Sequence, residues 1–129
     1  MNEFYDLVEE ILLRDKRYKP DAYEFVLQGL TFTQKKFKKQ RHVSGRELAC
    51  GLRDYGINQY GALAGRVLAY WGISQTQDFG NIVFNMIEKK LLSKTEEDSL
   101  LDFDAVYDFK AAFSNVLAES VIEGLKPKR

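Results

Sequence analysis

Residues 76–103 constrain the fold of this chain more than any other stretch. Phe79, Ile82, Val83, Met86 and Ile87 recur at i, i+3, i+4, i+7 and i+8, the spacing of a helix with one apolar face. Thr76 suits the N-cap, and Asp78 sits in the first turn, where the helix dipole favours an acid. Leu91-Leu92 and Leu100-Leu101 then flank a polar segment, 93–99, of turn length. The pattern predicts a short β-hairpin after the helix; a loop leading straight into the next helix is the other reading. With two short helices before it, this order is the layout of a winged helix-turn-helix, with its core at 44–103. The turn carries Glu96, Glu97 and Asp98, which would repel phosphate and argue against the DNA binding usual for that layout.

The other elements also read as helices. Phe4, Leu7, Val8, Ile11 and Leu12 form the stripe of a helix over 3–16, with acids early and bases late. Pro20 and Asp21 open a second, running to about Lys39, with Tyr23, Val26, Leu27 and Leu30 as its stripe. Gly29, Thr31 and Thr33 weaken its middle, so a break near residue 29 is expected. Ser44-Gly45-Arg46-Glu47 spells a capping box, with Val43 and Leu48 spaced as a hydrophobic staple. That helix is predicted to end at Tyr55 with Gly56 as a left-handed cap, and the next to run from Asn58 to Gly72. Gly61 and Gly65, four apart, predict the close approach of another helix. A last helix is expected from Asp102 or Asp104, with Val106, Phe109, Phe113, Val116, Leu117 and Val121 inward and Gly124 and Pro127 as stops. The fold class is therefore mainly α, five to six helices with a small hairpin. The 129 residues form one domain, in which 1–42 and 104–124 pack around the 44–103 core.

Composition narrows the function classes. Two prolines and seventeen aromatic residues argue against disorder. No apolar run approaches a membrane span, and the N-terminus is acidic where a signal peptide would be basic. The single Cys50 excludes an internal disulfide and fits a reducing, cytoplasmic setting. Net charge is zero but unevenly laid out. Residues 14–53 carry eleven Lys/Arg against four Asp/Glu, and residues 76–123 four against ten. Such blocks either form opposite faces or interleave and cancel.

No catalytic constellation stands out. Asp78-Phe79-Gly80 spells the magnesium motif of kinases, but neither the glycine-rich loop nor the catalytic loop accompanies it. A triad of Ser44, His42 and Asp54 can be drawn, yet Ser44 is already explained as a cap and no nucleophile elbow surrounds it. Cys50, among Leu48, Ala49 and Leu52, reads as a buried inert thiol. Asp98, Asp102, Asp104 and Asp108 lack the spacing of a calcium loop and suit helix starts. Neither a metal site nor a cofactor site is predicted. Lys35, Lys36, Lys38, Lys39, Arg41 and Arg46, with Phe37 among them, could hold a phosphate backbone weakly. A solvated helix end is the favoured reading of that run. The helix after Thr76 offers Gln77, Asn81 and Asn85 but no base where DNA would lie.

The combination of Arg41-His42-Val43-Ser44-Gly45, Ala69-Tyr70-Trp71-Gly72-Ile73, Thr76-Gln77-Asp78-Phe79-Gly80-Asn81-Ile82-Val83-Phe84, Leu91-Leu92-Ser93-Lys94-Thr95-Glu96 and Tyr107-Asp108-Phe109 resembles a family of short, single-domain bacterial proteins of unknown function. The resemblance spans nearly the whole chain. It implies a bacterial, cytoplasmic protein and brings no catalytic residues to carry over. The resulting expectation is a protein-interaction or accessory module with a protein partner or self-association. The alternative is a nucleic-acid-binding protein using 35–46.

Overall fold

The computed structural model describes residues 3–37, 42–93 and 98–114. Among these lie five α-helices: α1 (Glu3–Arg14), α2 (Pro20–Lys36), α3 (Gly45–Tyr60), α4 (Ala64–Tyr70) and α5 (Thr76–Glu88). Two short 3-10 turns, Gly61–Leu63 and Leu100–Phe103, punctuate them, and residues 109–114 are helical again. The chain is mainly α, as the apolar spacing predicts. No strand occurs among the described residues. Leu100-Leu101, expected as the second arm of a hairpin, instead opens the 3-10 turn.

Where local chemistry is strong, the helix ends fall where the sequence puts them. Ser44 caps α3: its Oγ accepts from the Glu47 amide at 3.0 Å, and the Glu47 carboxylate accepts from the Ser44 amide at 2.9 Å. Ser44→Ala should therefore cost about 1 kcal/mol. Unchanged melting of that variant would count against the cap. Pro20 opens α2 as predicted. Asp108 caps the helical stretch 109–114, its carboxylate accepting from the Ala111 amide at 2.8 Å. That start lies later than Asp102 or Asp104, because Leu100–Phe103 and a turn at Ala105 (φ 46°) come first.

Long-range packing moves other boundaries. α3 runs straight through Gly56, which is buried beside Phe25 and Leu68, and ends at Gly61 with φ 54°. Gly56 is thus a packing residue, and Gly61 is the cap. α2 does not break at Gly29. Gly29 and Gly51 instead let α2 and α3 close together: a Cβ on Gly51 would lie 1.9 Å from the Thr33 hydroxyl. Of the pair Gly61 and Gly65, only Gly65 meets a neighbour, the Phe113 side chain. Thr76 is not the N-cap of α5. It is buried, donates to the Phe103 carbonyl at 2.6 Å and accepts from the Val106 amide at 3.1 Å, tying 103–106 to the helix start.

One core joins the helices, with Val8, Ile11, Val26, Leu52, Leu68, Phe79, Ile82 and Met86 fully buried. A polar seam crosses it between α5 and the α1–α2 linker. The Asp78 carboxylate accepts from the Tyr18 hydroxyl at 2.6 Å and from the Ser74 and Gln75 amides at 2.9 and 3.1 Å. Asn81 donates to the Tyr18 oxygen at 2.9 Å. One turn on, Asn85 donates to Tyr23 at 3.0 Å and to Asp15 at 2.9 Å. Burial, followed by the Asp78 carboxylate, holds the Tyr18 phenol well above its usual range, so it stays protonated and donates.

Asp15 carries a pH signature. Hydrogen bonds from Arg17, opposed by burial and helped by Asn85, hold its carboxyl well below the usual carboxylate range. The unfolded chain then takes up a proton first as pH falls, so this stabilisation is complete above about pH 4 and is lost below it. Asp15→Asn should show a shallower loss of stability than wild type between about pH 4 and pH 2. Parallel acid-unfolding profiles would exclude this role.

Candidate functional site

The C-terminal halves of α2 and α5, the start of α3 and the segments 90–93 and 98–103 line a cavity of about 340 Å³ that is partly open to solvent. About half of its lining is apolar: Leu30, Val43, Leu48, Val83, Phe84, Ile87, Leu91, Leu92 and Phe103. The staple residues Val43 and Leu48 are buried against it. Leu91 and Leu92 reach it because α5 ends in a Schellman turn. The Leu91 amide donates to the Met86 carbonyl at 2.8 Å and the Lys90 amide to the Ile87 carbonyl at 2.9 Å. This turn holds Lys90 at φ 62°.

Polar side chains also line the cavity. His42 Nε2 lies 3.0 Å from Asp98 Oδ1. Asp102 accepts from the Ser99 amide at 3.1 Å. Lys90 lines the same cavity. A histidine beside a carboxylate on the wall of an apolar cavity is an arrangement in which general-base chemistry can occur. Ser44, the nucleophile of the imagined triad, is spent on its cap. Asp54, the imagined acid, pairs instead with Lys36 and with Arg53, whose Nε is 3.1 Å away. The acid next to His42 is Asp98, fifty-six positions further along the chain, and no local spacing announces that pair.

The basic run is only partly within view. Lys38, Lys39 and Arg41 lie outside the described residues, as do Glu96 and Glu97 of the acidic turn and Val116, Leu117, Val121, Gly124 and Pro127 of the last helix. Lys35 and Arg46 are exposed. Lys36 is engaged by Asp54, which shares its charge with a protein carboxylate. Arg46 opens α3 beside Glu47, on a surface shared with Asp98, Asp102 and Asp104. Asn81 and Asn85, the residues offered for base reading, are turned into the polar seam, and Gln77 is bonded to Asp104.

Cys50 is half-buried rather than buried. The next turn of α3 places the Arg53 guanidinium 5.4 Å over the Tyr107 ring, whose hydroxyl donates to the Ala49 carbonyl at 2.8 Å. Burial pushes the Tyr107 phenol well above its usual range. No group of three or more His, Cys, Asp or Glu among the described residues could hold a metal ion. Asp102 and Asp108 act at turn and helix starts, as their spacing suggests.

A second surface lies around α4. Tyr60, Leu63, Arg66 and Tyr70 are exposed there, Leu63 at 58% and Tyr70 at 72%. Residues 63, 66 and 70 follow one row of the helix. Tyr60 packs edge-on against Trp71 at 5.8 Å, and the Lys19 ammonium sits 5.0 Å from the Tyr70 ring. A single helix over 58–72 would turn Tyr60 and Leu63 inward with Ala64, Val67, Leu68 and Trp71. The 3-10 turn at 61–63 shifts the register and leaves Leu63 outside.

No family model matches the sequence, and neither a curated protein nor a solved structure is significantly similar to it. Among the described residues no helix is long and apolar enough to cross a membrane.

Proposed function

We propose that the chain is a protein-interaction or accessory module. The exposed row Leu63, Arg66 and Tyr70, with Tyr60 beside it, carries this reading. Tyrosine and arginine are the residues on which protein interfaces concentrate their binding energy, and large apolar side chains left in water gain most from being covered. Lys19 and Arg66 give the patch positive charge, so the fitting partner presents an apolar surface with acids around it. Bacterial origin, a cytoplasmic setting and kinship with short bacterial proteins belong to the same proposal. So does the winged-helix likeness of 44–103, which rests on the order of α3, α4 and α5.

Sedimentation at low and high salt tests it. Wild-type protein should enter a salt-sensitive complex, with itself or with a partner recovered by pulldown and then purified. Leu63→Ser with Tyr70→Ser should abolish that complex and leave melting nearly unchanged, because both side chains are exposed. A strict monomer at both salts with no partner would sink the proposal. Nucleic-acid binding through 35–46 is the competing outcome. It would appear as a low-salt shift of duplex or single-stranded probes, abolished by charge reversal at Lys36 and Lys39.

A further inference from the structure

We propose that the cavity between α2, α3 and α5 binds a small amphiphile with an apolar body and an anionic head, and that Lys90 holds the head. The site is separate from the α4 surface and shares no residue with it. At about 340 Å³ the cavity falls within the size range of small-molecule pockets. The cavity is partly open to solvent, and its apolar floor of Val83, Ile87, Leu91 and Leu92 gives an apolar body a surface to cover. Taking a water's share of about 30 Å³ as the unit, it holds roughly eleven water-sized groups. A medium-length alkyl chain or one aromatic ring with a short substituent fits that measure.

The polar groups select the head. His42 Nε2 lies 3.0 Å from Asp98 Oδ1, and the Asp102 carboxylate accepts from the Ser99 amide, so each carboxylate already has a partner in the protein. Lys90 is an exposed residue of the cavity lining and makes no ion pair among the described residues, so its ammonium is a cation available to an anionic head. Its backbone points the same way. Lys90 takes the left-handed position of the Schellman turn (φ 62°), where glycine is relaxed and a side chain is strained. At the matching position after α4 the chain uses Gly72, φ 96°. A lysine kept at a strained position beside a cavity is accounted for by what its side chain holds.

Octanoate and octylamine below their micelle concentrations and octanol below its solubility limit are the probes, read by calorimetry and by methyl shifts of Leu48, Leu91 and Leu92. Octanoate should bind saturably, one per chain, and more tightly than octanol or octylamine. Lys90→Gly should weaken octanoate about 10-fold, the scale of one charge-assisted hydrogen bond, and leave octanol unchanged. The same variant should melt at or above the wild-type temperature, so its loss of binding cannot be ascribed to unfolding. Val83→Phe, which fills the cavity, should remove both ligands. Octylamine binding more tightly than octanoate would overturn the anionic head, as would octanoate binding undiminished in Lys90→Gly. Binding that survives Val83→Phe in a folded variant, or no saturable binding of any probe, would overturn the site.

Discussion

Gly72→Ala should destabilise the protein by about 3 kcal/mol, from roughly 1–2 for a side chain at positive φ and 1–3 for overpacking. Gly72 is the turning residue after α4. Its amide donates to the Ala69 carbonyl at 3.0 Å, and the Ile73 amide returns to the Leu68 carbonyl at 2.9 Å. Its φ of 96° is a conformation that side chains rarely adopt. A Cβ there would also lie 2.2 Å from the Arg17 carbonyl oxygen, which is backbone and cannot rotate aside. The linker that carries Arg17 is pinned to the same turn, since the Lys19 amide donates to the Trp71 carbonyl at 3.1 Å. Relieving the clash therefore pulls Tyr18 away from Asp78 as well. Urea unfolding should show a lowered midpoint with an unchanged slope. A loss below about 1 kcal/mol would mean that the linker yields without cost, and the close-approach argument would fail.

Asp78→Ala should cost a similar amount, about 3 kcal/mol, or roughly 12 °C in melting temperature for a chain of this size. The Asp78 side chain is buried, and three donors converge on it: the Tyr18 hydroxyl and the Ser74 and Gln75 amides. Truncation leaves those donors without their acceptor, and a buried donor without a partner costs more than the hydrogen bond contributed. Asp78→Asn keeps one acceptor oxygen and should lose about half as much. Tyr18→Phe completes a double-mutant cycle, in which a coupling of about 1 kcal/mol or more is expected. Simple additivity of the two losses would show that Asp78 acts only through the backbone at the start of α5.

The same residue shows how far the sequence reaches. Asp78 in the first turn of an apolar-striped helix is legible, and so is the helix dipole's preference for it. Its partner is not, because Tyr18 lies sixty positions away and belongs to a linker with no periodicity of its own. Asn81 and Asn85 read as polar residues on an outer face. They point inward because Tyr18, Tyr23 and Asp15 offer them hydrogen bonds there. The candidate cavity was still less visible. Val43 and Leu48 read as a staple, but the apolar pair Leu91 and Leu92 before a polar turn reads as strand. No spacing predicts that Lys90 turns left-handed and folds them over the end of α5.

What the sequence determined by itself was local: the mainly α class, the stripes of α1, α2 and α5, the Ser44 box and the stop at Gly72. Each depends on contacts within one or two helical turns, where residue type and spacing fix the energy directly. The tertiary structure decided the rest. Gly56 stays helical because Phe25 and Leu68 close over it, and the 3-10 turn at 61–63 leaves Leu63 in water. Residues 91–103 give no strand among those described; their apolar stubs line the cavity and form a 3-10 turn packed on α5. Those outcomes depend on which distant surfaces meet, and a pattern only a few residues long holds no record of them.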